Sequence, residues 1–425
     1  MSERCNDVNK KEKKARKSES IDRSKSLMRT QSFNEAEDNC QRWTKNLLKN
    51  ARISKITQEY RDNKDWKPEK YGAKVCEKNM DKNRYKGIMC ADENRVVLKD
   101  RDSSNDYIHA SWMEMPDSVR FISTQGPIKS TIADFWHMIF TEKCQVIVML
   151  CGYVEDTEKC AKYFSADGEM LYGDYKVKVV EKQTEPWAPV RYTELRVKKK
   201  DTRLTVHHYW YHDWHDQIAP LDPCPMIKLY RTVLEKCNDN PIVVHCSAGV
   251  GRTATFVGIH LGVQMIKTDP NVELKAVMKC LRQMRLGAIQ SQLQYIFLMI
   301  CILQVFVENK YIKKDSQYEA FLKKYADLTA KVTAIIVEEE KKKKEKAAKT
   351  EKQKEKKSAS KESVDKESNM EKKAISIDNT ARKHQSNAEK KVTPAATPRL
   401  SKSPSLPRIA ESRSKNQKKG TKRGQ

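Results

Sequence analysis

The chain has 425 residues and a formal net charge of +26, and most of the positive charge lies at its two ends. Residues 1–33 carry ten Lys and Arg against five Asp and Glu, and residues 341–425 carry 27 against ten, so these segments supply +22 of the total. The segment between them is nearly balanced, which excludes a nucleic-acid-binding protein whose folded part is basic throughout. That segment is long enough to bury a large core.

The cysteines and apolar runs place limits on the class of protein. Twelve cysteines stand at irregular positions without a CxxC pair, so we expect no zinc ribbon, no redox motif, no metal and no cofactor. Free thiols fit a reducing compartment. The N-terminus lacks the apolar stretch of a secretory signal, and no run is long enough to cross a bilayer. We therefore expect a cytoplasmic protein, with nuclear entry left open by the basic tails.

The N-terminal third begins with a tail and continues into helices. Residues 1–33 are polar and have no hydrophobic period, which predicts a disordered basic tail. From Glu35 to about Tyr60, apolar side chains recur at helical spacing, which predicts one or two amphipathic helices entering a domain of residues 34–310. An irregular stretch follows to about Asn83.

The middle of the chain alternates between β-rich and helical patterns. Strands are predicted at Arg95–Leu98, Phe121–Thr124, Val146–Leu150, Tyr175–Glu181, Tyr192–Lys198, Arg203–Tyr211 and Ile242–His245. Helices are predicted at Ser130–Thr141, Met226–Asn238, Arg252–Lys267, Leu274–Arg285 and Ser291–Val307. Val146–Leu150 and Ile242–His245 are continuously apolar, as in central strands that are buried on both faces. The pattern predicts an α/β fold, with a central twisted mixed sheet covered by helices on both sides.

The C-terminal part is charged. The composition of residues 311–357 predicts a charged, solvated helical extension. Residues 358–425 are rich in Lys, Ser and Pro, which predicts a disordered tail. The Lys-rich runs could contact acidic protein, lipid or nucleic acid, and the alternative is a solvated arm without a partner.

The segment IVVHCSAGVGRT, from Ile242 to Thr253, carries the chemistry. A buried strand runs into a loop of small residues and then into a helix, which directs backbone N–H groups and a helix N-terminus at one point. These dipoles bind a phosphate and also stabilise a thiolate, so Cys246 is a candidate nucleophile. The planar fork of Arg252 can bind two phosphate oxygens. The alternative is an inert buried cysteine.

The Cys246-(five residues)-Arg252 loop resembles the signature of classical, tyrosine-specific non-receptor protein tyrosine phosphatases. The resemblance extends from about Trp43 to Val307. It implies hydrolysis of phosphotyrosine in proteins through a phosphocysteine, with a phosphate-binding loop between a central strand and a helix. Thr253 resembles the hydroxyl that helps the thiolate leave. The residues implied to surround the phosphate are Ser247, Ala248, Gly249, Val250 and Gly251.

Three other segments complete the resemblance. The segment WHDQIAP, which contains Asp216, resembles the mobile loop that carries the general acid. The family relates Lys159 to this acid loop and Glu155 to the phosphate loop. Gln290 resembles the residue that positions water, with Gln294 assisting. Tyr85 resembles the aromatic residue that makes the cleft too deep for phosphoserine.

Five positions depart from the family pattern and leave other functions open. His215 and Ile218 replace the usual proline and glycine of the acid loop, which predicts slower turnover. Two further departures concern substrate binding: His109 replaces an asparagine, and Gly87 replaces a polar or acidic residue that binds the substrate backbone. The last is Ala254, which replaces a glycine just after Arg252 that supports the phosphate loop. An alternative is a phosphotyrosine-binding pseudophosphatase that acts as an adaptor. A phosphoinositide or dual-specificity phosphatase is disfavoured by Tyr85. We expect phosphotyrosine proteins as partners and a monomeric domain.

Overall fold

The computed structural model describes residues 33–49, 52–216, 218–339, 341–342 and 345. The predicted tail of residues 1–33 lies outside them except for its last residue, and the predicted tail of residues 358–425 lies wholly outside them. A compact unit ends at residue 340 and contains the sheet and helices described below. The division of the chain into four segments stays a prediction.

One sheet of nine strands organises this unit. The strands are β1 (Arg95–Val97), β2 (Tyr107–Glu114), β3 (Arg120–Thr124), β4 (Val146–Met149), β5 (Glu169–Tyr172), β6 (Tyr175–Trp187), β7 (Val190–Lys199), β8 (Thr202–Tyr211) and β9 (Ile242–His245). Their order across the sheet is β1-β2-β3-β9-β4-β8-β7-β6-β5. Strand β9 pairs in parallel with β3 and β4, and β4 pairs in parallel with β8, whereas the other pairs are antiparallel. The predicted mixed sheet is confirmed.

Helices cover the sheet. They are α1 (33–49), α2 (Ile53–Asn63), α3 (Lys74–Lys78), α4 (Ile132–Thr141), α5 (Cys224–Lys236), α6 (Arg252–Thr268), α7 (Leu274–Met284), α8 (Gln292–Glu308) and α9 (316–339), with short 3₁₀ turns at Met80–Lys82 and Lys129–Thr131. Every residue of β4 and β9 is buried, so both faces of the sheet are covered at its centre. Helix α8 is buried on nearly all sides and forms the middle of the helical layer.

Two strands and one packing surface differ from the predictions. The predictions omit β2 and β5. The sequence also predicts a solvated helix after residue 311, but α9 buries Tyr318, Phe321 and Tyr325 in the main hydrophobic core. The Tyr325 hydroxyl donates a 2.7 Å hydrogen bond to the Pro220 carbonyl. The predicted helix beyond residue 345 lies outside the described residues.

Two further features of the described chain concern membrane spans and cysteines. None of its helices is long and apolar enough to cross a membrane. All eleven of its cysteines are free thiols, and Cys224 is the exposed one among them.

Candidate active site

Cys246 directly follows β9, at the end of the sheet where the parallel strands β3, β9 and β4 finish. Because β9 lies between β3 and β4 and runs parallel to both, their carboxyl ends meet beside the loop of residues 246–251. Helix α6 begins at Arg252, immediately after this loop. The Cys246 side chain is only 3 % exposed. The structure therefore has the strand, loop and helix that the sequence predicts.

The loop curls around the sulfur of Cys246. The Gly249 N–H donates to Cys246 Sγ at 3.3 Å. The Gly126 N–H donates to the Ser247 carbonyl at 2.9 Å and connects the loop to the segment after β3. Gly249 has φ +72°, and a Cβ on it would lie 2.2 Å from the Thr124 carbonyl oxygen. Position 249 thus requires glycine for both its backbone angle and its close approach to β3.

Gly249→Ala should reduce both stability and activity. We expect the free energy of unfolding to fall by about 2–4 kcal/mol, because the methyl group displaces the loop from Thr124 in addition to the cost of a positive φ. Gly168→Ala is the matched control, since Gly168 has φ +82° and nothing within 4 Å of an added Cβ. Urea unfolding and phosphate release measure the two effects. Equal losses in both variants would contradict a close approach at position 249.

Arg252 is fully buried beside the loop, and two neighbours orient its guanidinium. Nη1 donates to Glu155 Oε1 and to the Trp214 carbonyl, each at 2.6 Å. Burial opposes the charge, but the anionic groups around it, Cys246 foremost, raise the pKa of Arg252 above its ordinary value. The guanidinium is thus a permanent cation with a fixed orientation, as binding of a phosphate requires.

Three buried polar atoms around the loop have no hydrogen-bond partner within the described part of the chain. They are Arg252 Nε, Thr253 Oγ1 and Gln294 Nε2. Unpaired buried polar atoms are rare in proteins and often lie where a ligand or water binds. Two donors and a hydroxyl near one cysteine fit an oxyanion and its attacking water.

Asp216 lies over the loop between two cations. Its Oδ1 is 3.5 Å from Arg252 Nη2, and its Oδ2 is 3.6 Å from Lys159 Nζ. Lys159 also contacts Asp156 at 2.6 Å. Burial alone would lower the pKa of Lys159, but the carboxylates of Asp156 and Asp216 raise it. The predicted proximity of Lys159 to the acid loop is therefore present in the structure.

Tyr85 borders the loop on the other side. Ser247 Oγ donates its hydrogen to the Lys159 carbonyl at 2.9 Å. The Tyr85 hydroxyl lies 2.8 Å from Ser247 Oγ and must therefore be the donor in that contact. The neighbouring Arg84 binds the segment after β3, with its Nε donating to the Gly126 carbonyl at 3.0 Å. The Tyr85 hydroxyl is thereby hydrogen-bonded to the loop of residues 246–251.

The two glutamines approach the loop from the start of α8. The Gln290 N–H donates to Gln294 Oε1 at 3.0 Å. A Cβ added to Gly251 would lie 2.7 Å from Gln290 Oε1 and 3.0 Å from Gln294 Oε1, which measures how closely both side chains pack on the loop. Gln290 and Gln294 thus lie beside the loop, and their roles in positioning water stay predictions.

The sequence predictions miss Arg285, which is completely buried behind the loop. Its Nε donates to the Gly249 carbonyl and its Nη2 to the Ala248 carbonyl, each at 3.2 Å. Nη2 also donates to His109 Nδ1 at 2.9 Å, and His109 Nε2 donates to the Ile88 carbonyl at 3.0 Å. His109, one of the departures from the family pattern, therefore orients an arginine that supports the loop. The signal that could have found Arg285 is a second arginine at the end of the predicted helix α7.

His109→Asn should make the fold less sensitive to acid. Burial lowers the pKa of His109 to about 3, whereas histidine in an unfolded chain titrates near pH 6.5. Below pH 6.5 the unfolded chain binds a proton that the folded chain excludes, so His109 lowers the free energy of unfolding by about 2 kcal/mol at pH 5 and by nothing above pH 7. Urea titrations at pH 7 and pH 5 should show a correspondingly smaller loss for the variant. The exposed His215→Asn is the control, and an unchanged loss in His109→Asn would refute this assignment.

A buried chain of hydrogen bonds lies beneath the loop. His245 Nδ1 donates to the Cys246 carbonyl at 3.1 Å, so its Nε2 accepts from the Tyr163 hydroxyl at 2.9 Å. That hydroxyl in turn accepts from His208 Nε2 at 2.6 Å. Burial lowers the pKa of His245 to about 4 and that of His208 to about 3. Both rings are thus neutral at physiological pH, which fixes the direction of each hydrogen bond in the chain.

The remaining departures have limited structural consequences. Ile218 does not adopt a positive φ, and its carbonyl accepts a 2.8 Å hydrogen bond from the Trp214 indole. Ala254 is buried in α6. Gly87 would have open space around an added Cβ, and it borders a cavity of about 210 Å³. A larger cavity of about 430 Å³ lies elsewhere, beside Trp43 and Val272. The slower turnover expected from His215 and Ile218 stays a prediction.

Comparisons with known proteins agree with this geometry. The family model described as protein-tyrosine phosphatase matches residues 79–304. The receptor-type tyrosine-protein phosphatase eta of Gallus gallus is 35% identical over 259 residues, which are 59% of this chain and 18% of that protein. The tyrosine-protein phosphatase non-receptor type 7 of Homo sapiens is 35% identical over 225 residues, which are 51% of this chain and 62% of that protein. The match thus spans less than two thirds of either relative.

A solved structure has a similar fold. It comes from work on the structural basis of the PTPN18 fingerprint on distinct HER2 tyrosine phosphorylation sites. The TM-score is 0.55 at 24% identity, and the match covers 64% of this chain and 99% of that one. At this identity the likeness establishes the fold and does not extend to substrates.

Proposed function

Because the chain belongs to the protein-tyrosine phosphatase family, we propose that it hydrolyses phosphotyrosine in proteins, with Cys246 as the nucleophile. The observation that carries the proposal is the meeting of three groups in one place. The Cys246 sulfur receives the Gly249 N–H, Arg252 begins the following helix, and Asp216 lies 3.5 Å from the Arg252 guanidinium. A nucleophile, an oxyanion-binding cation and a proton donor are the parts that phosphate ester hydrolysis requires.

The first step is attack of the Cys246 thiolate on phosphorus. The bond between phosphorus and the tyrosine oxygen breaks, and Asp216 gives its proton to the departing oxygen. The phosphoryl oxygens are bound by Arg252 and the loop amides of Ser247, Ala248, Gly249, Val250 and Gly251, which stabilise their charge in the transition state. Glu155 and the Trp214 carbonyl orient the arginine. Lys159 keeps Asp216 over the loop.

The second step is hydrolysis of the phosphocysteine. Gln290, with Gln294 beside it, orients a water molecule, and Asp216 now accepts a proton from that water. Phosphorus forms a bond to the water oxygen while its bond to sulfur breaks. The Thr253 hydroxyl is buried and has no protein partner in the described chain. It donates a hydrogen bond to the Cys246 sulfur as the sulfur regains its negative charge.

Selectivity for phosphotyrosine follows from Tyr85. Its ring is bound to Ser247 through the hydroxyl and so forms one wall of the entrance to Cys246. An aryl phosphate can stack on this wall and reach the sulfur, whereas the shorter phosphoserine side chain ends before it. We also propose a cytoplasmic location, supported by the eleven free cysteines of the described chain.

The full chain should release phosphate from a phosphotyrosine peptide. A phosphoserine peptide and a phosphoinositide, each at the same concentration, should react at least about a hundredfold more slowly. Release of inorganic phosphate measures all three rates. Binding of the phosphotyrosine peptide without turnover would instead support the adaptor, which the sequence departures His215 and Ile218 in the acid loop leave open. A preference for the phosphoinositide would contradict the role of Tyr85.

A further inference from the structure

One face of the sheet carries a cluster of cations that the proposed reaction does not use. The residues belong to β6, β7 and β8, and their side chains point to the same face because they are directly opposite or two apart along a strand. We define this basic face as Lys176, Lys178, Arg196, Lys198 and Arg203.

The strand register sets like charges directly against each other. Lys176 faces Lys198, Lys178 faces Arg196, and Lys198 also faces Arg203 on its other side. Like charges directly opposite in a sheet destabilise it. Since threonine or another neutral residue would suit an exposed strand better, folding does not explain this arrangement.

These cations are exposed and largely uncompensated. Lys176, Lys178, Arg196 and Arg203 are exposed, and Lys198 is partly so. Two acidic residues share the face: Glu169 is directly opposite Lys178 and its Oε1 is 3.7 Å from Lys176 Nζ, and Glu194 lies two residues before Arg196. Within the described residues the other four cations form no ion pair, so five cations stand against two carboxylates. An exposed pair at 3.7 Å contributes little. The basic face therefore attracts anions from solution.

An apolar side chain extends the basic face at its outer edge. Leu171 on β5 is directly opposite Lys176, so it points the same way, and it is 62 % exposed. A leucine beside exposed lysines is the combination that binds at the surface of an anionic bilayer, where the cations contact headgroups and the leucine enters the interface.

We propose that the basic face docks the domain on an anionic lipid surface. The net positive charge of both tails excludes them as occupants, and a second copy would set this cluster against itself. The side chains stand on an open sheet face, and the two cavities described above are lined by other residues. The five cations lie on β6, β7 and β8, inside the edge strand β5, so they are spread over the face and do not line the free edge where an extended peptide would pair. A membrane surface, in contrast, can contact the whole face.

Docking there would leave the candidate active site accessible. Strands β8, β4 and β9 are parallel, so Cys246 lies at the end of the sheet where β8 finishes. Arg203 lies near the start of β8, roughly 25 Å from that end. The phosphatase could therefore act on membrane-associated substrates while docked.

Vesicle binding by the full chain tests the proposal. The probes are phosphatidylcholine vesicles with and without phosphatidylserine. The triple variant Lys178→Thr, Arg196→Thr, Lys198→Thr removes three like-charge contacts and should melt no lower than the unmodified chain. It should weaken binding to the phosphatidylserine vesicles by about tenfold or more. The control Lys45→Gln, Lys49→Gln, Lys70→Gln removes the same charge from exposed positions elsewhere and should weaken it less than about threefold.

Hydrogen exchange on the vesicles locates the contact. Protection of residues 169–180 and 194–205 is expected. Equal weakening in both triple variants, or protection that omits these strands, would overturn the proposal and assign binding to the tails. Binding of the basic face to polyglutamate without binding to the vesicles would also overturn it and identify an acidic protein as the partner.

Discussion

Cys246→Ser is expected to lower the release of phosphate from a phosphotyrosine peptide by about 10⁴-fold or more, because a serine hydroxyl is a far weaker nucleophile toward phosphorus than a cysteine sulfur. The loop that binds phosphate should survive this change. Its shape depends on Gly249 and on the carbonyls held by Arg285, and oxygen is smaller than the sulfur that it replaces. The variant should therefore bind the phosphopeptide with an affinity similar to that of the unmodified chain.

Cys224→Ser is the matched control, since Cys224 is the exposed thiol of the described chain and lies at the start of α5. It should retain full activity. Fluorescence anisotropy with a labelled phosphopeptide measures binding, and phosphate release measures turnover. Residual turnover of Cys246→Ser near the unmodified rate would refute the nucleophile, whereas loss of both turnover and binding, with a lowered melting temperature, would indicate a damaged loop.

Asp216→Asn should slow turnover by about 10²–10⁴-fold with phosphotyrosine, because the amide cannot give a proton to the leaving oxygen. The leaving group provides the discriminating measurement. A nitrophenyl phosphate releases a weakly basic phenolate that needs little protonation, so the variant should be impaired much less with that substrate. The rate of phosphocysteine formation, measured with each of the two substrates, reports this difference.

The control for this prediction is Asp213→Asn, an exposed aspartate just before Trp214 in the same segment. It should change the rate by less than about threefold. An equal loss for Asp216→Asn with both substrates would show that Asp216 acts by another route, such as binding Lys159 and Arg252 to hold the loop. Equal rates with and without the carboxylate would remove its role entirely.

The site could be predicted from sequence where its parts are local. The loop from Cys246 to Arg252 is contiguous, and its glycines, helix start and apolar strand are all readable within twelve residues. The sheet centre could be predicted for the same reason, because β4 and β9 are short apolar runs. The resemblance implies Asp216, Tyr85 and Gln290, and the structure places all three beside the loop.

The remaining parts depend on contacts between distant residues. Strand β2 includes His109 and Ser111, which look unsuited to a strand with both faces buried until Arg285 donates to both. Strand β5 is almost wholly exposed and has no periodic pattern to detect. Helix α9 has apolar residues at helical spacing, including Tyr318, Phe321 and Tyr325, but the Lys- and Glu-rich run that follows dominates the composition of residues 311–357. The buried face of α9 can therefore be read from the sequence, and the prediction of a solvated helix is wrong. Periodicity does not report which residues this face meets, such as Phe297 and Pro220 against Tyr325.

Trapping the phosphoenzyme tests the central role of Cys246 most directly. The full chain would be mixed with a phosphotyrosine peptide carrying labelled phosphate, quenched in acid within milliseconds, and digested. Gln290→Ala should increase the trapped amount, because water is then poorly oriented and the second step slows. The account predicts labelled phosphate on the peptide that contains Cys246. Label on another residue, or turnover with no label on the protein, would contradict it.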